Sequence, residues 1–349
     1  MKKSYFLLVC VLGMSLLLGP FNLTNDASAQ TAADFYKGKV LRLVVPYAPG
    51  GGTDTFARMI ASHLGRYLTG TVVVKNIPGG DGTYAYNTVY KGKPDGLTIA
   101  ITDTGALVLN QLFKAKGVQF DFGKFNWLGR ASWSKRVTLV AKDSPYQSLK
   151  DILMAPQTIK VAGTGRASGG SLTWVLLFHA LNLPPEKVKM VVGYSSGKET
   201  MMAVMQKETD VTSLTEDTSY EFVKAGLVRA FVTVDDERSE FFPDVPTHVE
   251  QVNIPKEKSW PLDVYLDVQR LRRGFITAPG VPKLRVDFLR NAMAQCFKDE
   301  KLLAQAEKSK RKIIPLGGEE MEKKIREKIA PLSEQEISEF KHIALEKYY

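Results

Sequence analysis

An alternation constrains this chain more than any other feature. Short, wholly apolar runs recur along it, each followed by a loop and then by residues with helical spacing. Strands are expected over 40–45, 72–75, 97–101, 137–141, 158–162, 189–192, 210–214, 229–234 and 274–278. Helices are expected over 53–68, 83–90, 106–113, 171–181, 198–206, 219–225, 283–297 and 319–348. Strands apolar on every residue must be covered on both faces, and strands that alternate with helices pair in parallel. The pattern therefore predicts an α/β protein of mostly parallel sheets covered by helices. Composition shifts near 126–136 and again across the Pro/Lys-rich stretch 243–261. Two shifts suggest one domain inserted into another: a first domain over 30–136, an inserted second domain over 137–260, and a return to the first over 261–349 with the C-terminal helices.

The N-terminus reads as a processing segment. Lys2 and Lys3 precede an apolar run over 5–18, and Ala27-Ser28-Ala29 supplies an A-x-A site. Residues 1–29 are expected to be a signal peptide, which places the mature chain in the periplasm. Cys10 lies in that segment, so Cys296 is the one cysteine of the mature chain and no intrachain disulfide can form. The formal charge of +10 comes from dispersed Lys and Arg. The densest runs, Arg270 to Arg273 and Lys308 to Lys312, are short and lack interleaved aromatics, which argues against nucleic acid.

The loops carry the chemistry. Val44 and Val45 run into Pro46-Tyr47-Ala48-Pro49-Gly50-Gly51-Gly52, and the next helix opens on Thr53-Asp54. Glycines let the backbone approach a ligand closely, and Thr53 is a candidate helix cap. The loop leaves the carboxyl end of a strand, where open α/β sheets bind ligands, and free amides at a helix start favour an anion. Pro78-Gly79-Gly80-Asp81-Gly82-Thr83 and Thr102-Asp103-Thr104-Gly105 repeat this logic after the next two strands. In the second half, Gly163-Thr164-Gly165-Arg166-Ala167-Ser168-Gly169-Gly170-Ser171 and Gly193-Tyr194-Ser195-Ser196-Gly197 do so again, and Thr215-Glu216-Asp217 follows another strand. Arg166 either offers a bidentate fork to a carboxylate or faces water.

With these loops in order, the chain resembles the periplasmic solute receptors of tripartite tricarboxylate transporters, the Bug receptors. The resemblance covers nearly the whole mature chain. Its most specific part is Val45-Pro46-Tyr47-Ala48-Pro49-Gly50-Gly51-Gly52-Thr53-Asp54, then Asn76-Ile77-Pro78-Gly79-Gly80-Asp81-Gly82, then Lys93-Pro94-Asp95-Gly96-Leu97-Thr98. Phe242-Pro243-Asp244-Val245-Pro246-Thr247 and Thr277-Ala278-Pro279-Gly280-Val281-Pro282 support it. The resemblance implies a two-domain periplasmic-binding-protein-like fold with a ligand cleft between the domains. It implies no catalysis and no cofactor, and delivery of a small carboxylate to a membrane permease. By the same resemblance, Ala48, Pro49, Gly50, Gly51, Thr53, Asp54, Gly79, Gly80, Asp81, Gly82 and Thr83 would hold a ligand carboxylate from the first domain. Thr164, Gly165, Arg166, Ser168, Gly169, Tyr194, Ser195 and Ser196 would close from the second, and Glu216 and Asp217 would lie near the ligand. Thr102, Asp103 and Thr104 join the set from their own loop. Arg166 departs from the commoner pattern and points to a second anionic group on the ligand, as in a di- or tricarboxylate or a substituted aromatic acid. A monomer is expected.

The rival is a secreted α/β enzyme, an oxidoreductase or hydrolase acting on a carboxylate or nucleotide. Export disfavours a soluble nicotinamide cofactor. His63, His179, His248 and His342 are far apart, and no Gly-x-Ser-x-Gly, His-Glu-x-x-His or cysteine cluster is present. His179 sits in the most apolar helix and reads as a core histidine.

Overall fold

The computed structural model describes residues 32–349. The expected signal peptide, residues 1–29, lies outside them. Two sheets organise the chain. The first has the order β11-β4-β10-β3-β1-β2, formed by β1 (Val40–Val45), β2 (Thr71–Asn76), β3 (Thr98–Ile101), β4 (Asn126–Arg130), β10 (Gly274–Thr277) and β11 (Leu316–Gly317). The second has the order β7-β6-β8-β5-β9, formed by β5 (Arg136–Ala141), β6 (Ile159–Gly163), β7 (Val188–Val192), β8 (Val211–Thr215) and β9 (Val228–Val234).

Parallel pairing holds where strand, loop and helix follow one another: β1 with β2 and β3, and β6 with β7 and β8. The strands that arrive from the other body, β5 and β10, run antiparallel to their neighbours. Both sheets are therefore mixed. A strand that enters a sheet after crossing between bodies has no crossover helix to fix its direction.

The sequence periodicity missed β4, whose Asn126 and Arg130 break the apolar pattern. Arg130 is nonetheless buried, because its guanidinium donates to the carbonyls of Ile314 and Arg270. A helix over Lys256–Gln269 was also hidden, since Pro261 lies inside it. It packs on the helix Gly169–Ala180 of the second sheet and on the helix Thr104–Leu112 of the first. One apolar core consequently runs through both bodies, from Leu107 and Val108 through Leu262 and Tyr265 to Trp174 and Phe178. The expected helix over 319–348 is two, Gly318–Lys328 and Glu334–Leu345, broken around Pro331 and restarted by a Ser333/Glu336 capping box. The second of them packs against Gly169–Ala180. No described helix is long and apolar enough to cross a membrane.

Candidate functional site

The carboxyl ends of β1, β2 and β3 lie along one edge of the first sheet, and three helices start there, Gly52–Leu68, Thr83–Tyr90 and Thr104–Leu112. None has a side-chain cap at its N-terminus. Gly51 is the first N-cap, and Thr53 lies inside the first turn, so the expected Thr53 cap does not form. By contrast, Ser168 and Ser196 cap the helices Gly169–Ala180 and Gly197–Met205 of the second body from their own side chains, while Glu216–Lys224 has no such cap. Uncapped first-turn amides carry partial positive charge and favour an anion.

Asp54 explains how the first loop keeps its shape. Its Oδ2 accepts from the Gly50 amide at 2.8 Å and from Arg58 Nε at 3.0 Å, and its Oδ1 accepts from Asn76 Nδ2 at 2.8 Å. These bonds, the Arg58 bond foremost, hold its carboxyl down to about 2. Asp54 is buried, and both its oxygens are bonded within the protein. Residues 48–52 themselves are exposed. Pro49, Gly50 and Asp54 line a depression with Arg58 and Arg311 that is separate from the cavity described next.

That cavity, of about 130 Å³, lies between the two bodies. Tyr47, Asp81, Asp103 and Asn110 line it from the first body, Arg136, Ser168 and Gly169 from the second, and Gln269 and Arg272 from the segment between them. Of the residues singled out in the sequence, it gathers Asp81, Asp103, Ser168 and Gly169.

The second loop is set by a run of left-handed residues. Gly79, Gly80, Asp81 and Gly82 have φ of 126°, 57°, 49° and 88°. Three glycines adopt this freely, and Asp is one of the few other residues that tolerates it. The Tyr47 hydroxyl donates to Asp81 Oδ1 at 3.3 Å. Asp81 keeps water contact, yet the cleft wall desolvates its carboxyl, which together with the nearby Asp103 charge raises its pKa. Burial, and then Asp103, push the Tyr47 phenol far up. Asp103 is paired with Arg272 at 2.8 Å. Thr83, Thr102 and Thr104 are buried. Asn110 donates to Thr83 Oγ1, while Thr104 donates to the Leu271 carbonyl at 2.6 Å and Thr102 to that of Gly274. They fix the segment that carries Arg272.

In the second body, Arg136 opens β5 and reaches the cavity. Its Nη1 donates to the Ser213 carbonyl at 3.3 Å, and its Nε is buried without an acceptor. A Cβ at Gly169 would overlap this guanidinium, which is why glycine stands there. Arg136 has no carboxylate partner among the described residues.

Arg166 corrects the expectation of a cleft cation. It is exposed, its Nη1 donates to the Leu345 carbonyl at 3.0 Å, and its guanidinium lies 4.7 Å from the Tyr349 ring centre. The unpaired carbonyls at a helix C-terminus attract a guanidinium, and the C-terminal helix supplies them here. Thr164 is exposed, and Gly165 accepts the turn bond from the Ser168 amide. The loop carrying Tyr194, Ser195 and Ser196 leaves β7, an edge strand. Ser195 is held by Glu199, Ser196 caps its helix, and neither lines the cavity. Glu216 is buried, accepting from the Lys135 amide and from Ser239 at 2.6 Å, and burial raises its carboxyl despite both bonds. Burial also raises Asp217, but Arg273 at 3.5 Å and bonds from Thr215 and Thr218 outweigh it and leave the carboxyl low. Among the described residues, no cluster of His, Cys, Asp and Glu could hold a metal.

Sequence reasoning missed Arg136, Arg272 and Tyr47. The available signal was position. Arg136 abuts the apolar run 137–141, and Arg272 and Arg273 abut Gly274–Thr277. A cation at the mouth of a buried strand must face something polar.

The family described as Tripartite tricarboxylate transporter family receptor matches residues 56–263. BugT of Bordetella pertussis is 27% identical over 252 residues, covering 67% of this chain and 72% of BugT. A TctC solute-binding protein from Polaromonas, solved without ligand, has a TM-score of 0.69 at 19% identity and covers 87% of this chain and 97% of its own. MatC of Rhodopseudomonas palustris, solved with bound malate, has a TM-score of 0.62 at 20% identity, covering 87% of this chain and 98% of its own. The chain belongs to the tripartite tricarboxylate transporter receptor family.

Proposed function

We propose that the protein is a periplasmic solute receptor. It binds a small carboxylate between its two bodies and passes it to a tripartite tricarboxylate transporter permease without chemical change. One observation carries this reading. A guanidinium without a carboxylate partner, Arg136, and the uncapped start of the helix Thr104–Leu112 meet the same interbody cleft. The malate bound by MatC is consistent with it. Residues 30–136 and 261–349 would form the body with the uncapped edge, and 137–260 the body that closes on it. A micromolar complex needs about 8 kcal/mol, and hydrogen bonds to a charged group give roughly 1.5–3 kcal/mol each. Contacts from both bodies are therefore required.

The test is a thermal-shift screen of residues 30–349 against mono-, di-, tri- and aromatic carboxylates, with NAD as control. A ligand at 100-fold excess over its Kd adds about 2.7 kcal/mol of stability. Stabilisation by a carboxylate supports the receptor. Stabilisation by NAD alone, or turnover of the bound acid, overturns it in favour of an enzyme.

A further inference from the structure

We propose that the cleft is built for a small zwitterion, an amino acid whose carboxylate lies on Arg136 and whose ammonium lies on Asp81; this deepens, and rests on, the receptor reading above. The charges lining the cavity are Asp81, Asp103, Arg136 and Arg272. Asp103 and Arg272 neutralise each other. One charge of each sign remains, Asp81 from the first body and Arg136 from the second, and neither has a counter-charge among the described residues. A closed cleft of this composition is neutral. A dicarboxylate would bring two negative charges into it and set one against Asp81, whereas an amino acid adds no net charge and pairs both residues. Uncompensated charge is costly once closure takes water from the site, and that decides between the two.

The local geometry agrees at both ends. Asp81 holds a left-handed conformation between glycines, where an L-residue is disfavoured by roughly 1–2 kcal/mol. Glycine would satisfy the turn, so the carboxylate is the reason for an aspartate. Tyr47 donates to Oδ1, and Oδ2 has no protein donor among the described residues. Desolvation and Asp103 raise this carboxyl, and an ammonium is the partner that restores its charge. At the other end, Nη1 of Arg136 is taken by Ser213, while Nε lacks an acceptor. Nη2 has no protein acceptor among the described residues, and a carboxylate in the cavity would pair the guanidinium there. Leu109, Phe113 and Leu172 supply apolar wall for a short aliphatic body.

The experiment is titration calorimetry of residues 30–349 with alanine, γ-aminobutyrate, their ammonium-free isosteres isobutyrate and valerate, and succinate. At least one amino acid should bind at least tenfold more tightly than its isostere. Asp81→Asn keeps the turn, since asparagine also tolerates the left-handed region, and it should reduce the amino acid to the affinity of its isostere. Arg136→Met should weaken both members of the pair tenfold or more. Succinate or an isostere binding as tightly as the amino acids, with Asp81→Asn improving it, overturns the zwitterion and leaves the receptor standing. Silence toward all five probes also overturns the zwitterion, and the wider carboxylate screen then decides the receptor reading.

Discussion

At the scale of single residues, two arginines have fates opposite to those their sequence surroundings suggest. Arg166 lies in a Gly-rich loop but is spent on the C-terminal helix, through the Leu345 carbonyl and the Tyr349 ring. Arg136 has no such loop, yet it faces the cavity. Arg166→Ala should leave carboxylate affinity within twofold and lower stability by about 0.5–1 kcal/mol, the range of an exposed cation contact. Arg136→Met should cost at least one hydrogen bond to a charged ligand, roughly 1.5–3 kcal/mol, or about tenfold to more than a hundredfold in Kd. Calorimetry and urea titration of both variants check the pair. Asp54 gives a pH prediction. Its folded pKa, about 2, lies below the unfolded value of roughly 3.9. Its stabilising effect is thus complete above about pH 4 and is lost as pH falls toward 2. Asp54→Asn should be less stable than the parent at pH 7, and the gap in melting temperature should narrow steadily below pH 4. A constant gap would mean that the Arg58, Gly50 and Asn76 bonds do not hold the charged carboxylate.

At the scale of elements, strand and helix positions were legible because burial on both faces writes an apolar run and a helix writes its period. The helix over 83–90 is observed at Thr83–Tyr90, and the strand over 40–45 at Val40–Val45. Elements that carry a charge or a proline into the interior were not legible. Strand β4 ends in the buried Arg130, and the helix Lys256–Gln269 contains Pro261. What rescues them, carbonyls of Ile314 and Arg270 in one case and two flanking helices in the other, is distant in sequence. The site divides the same way. The Gly-rich loops at 78–83 and 163–171 bring Asp81, Ser168 and Gly169 to the cavity, but which loop side chains remain free depends on partners such as Glu199 for Ser195 and Ser239 for Glu216. The C-terminal tail shows what such distant contacts contribute. Tyr348 is buried, its ring centre is 5.9 Å from that of Phe178, and its hydroxyl donates to the Leu183 carbonyl at 3.0 Å. Lys347 sits 3.1 Å from Nδ1 of His179, whose pKa falls to about 4, first through burial and then through that lysine. Tyr348→Ala empties an aromatic site in the second body's main helix layer and should cost about 3–5 kcal/mol, the usual loss for a large buried ring. Urea unfolding measures it. A loss below 1 kcal/mol would show that the tail is not part of the core.

At the scale of the whole molecule, two ion pairs join the bodies outside the cavity. The helix Glu300–Lys308 packs on Gly52–Leu68 of the first body, and the segment after it reaches the second. Lys310 pairs with Glu221 and lies 5.7 Å from the Tyr220 ring centre, and Lys312 pairs with Glu240, 4.7 Å from that of Phe241. All four charged residues are solvent-exposed or nearly so, which limits each pair to about 0–1 kcal/mol. In a receptor that closes on its ligand small terms suffice here, because they would act on a balance between open and closed forms rather than on folding. A bias of 1.4 kcal/mol changes that ratio tenfold, and apparent affinity falls by the fraction of competent form lost. Reversing both lysines, Lys310→Glu with Lys312→Glu, sets like charges against Glu221 and Glu240 without touching a cavity residue. The double variant should bind its carboxylate about three- to tenfold more weakly and scatter X-rays as a more open particle without ligand. Raised salt should weaken the parent toward the variant, because exposed pairs are screened within about 8–10 Å at moderate ionic strength. The variant should gain affinity or stay unchanged under the same salt, since its repulsion is screened as well. Equal affinity and equal salt response in parent and variant would assign closure to the buried contacts around Arg272 and Tyr265, which salt does not reach.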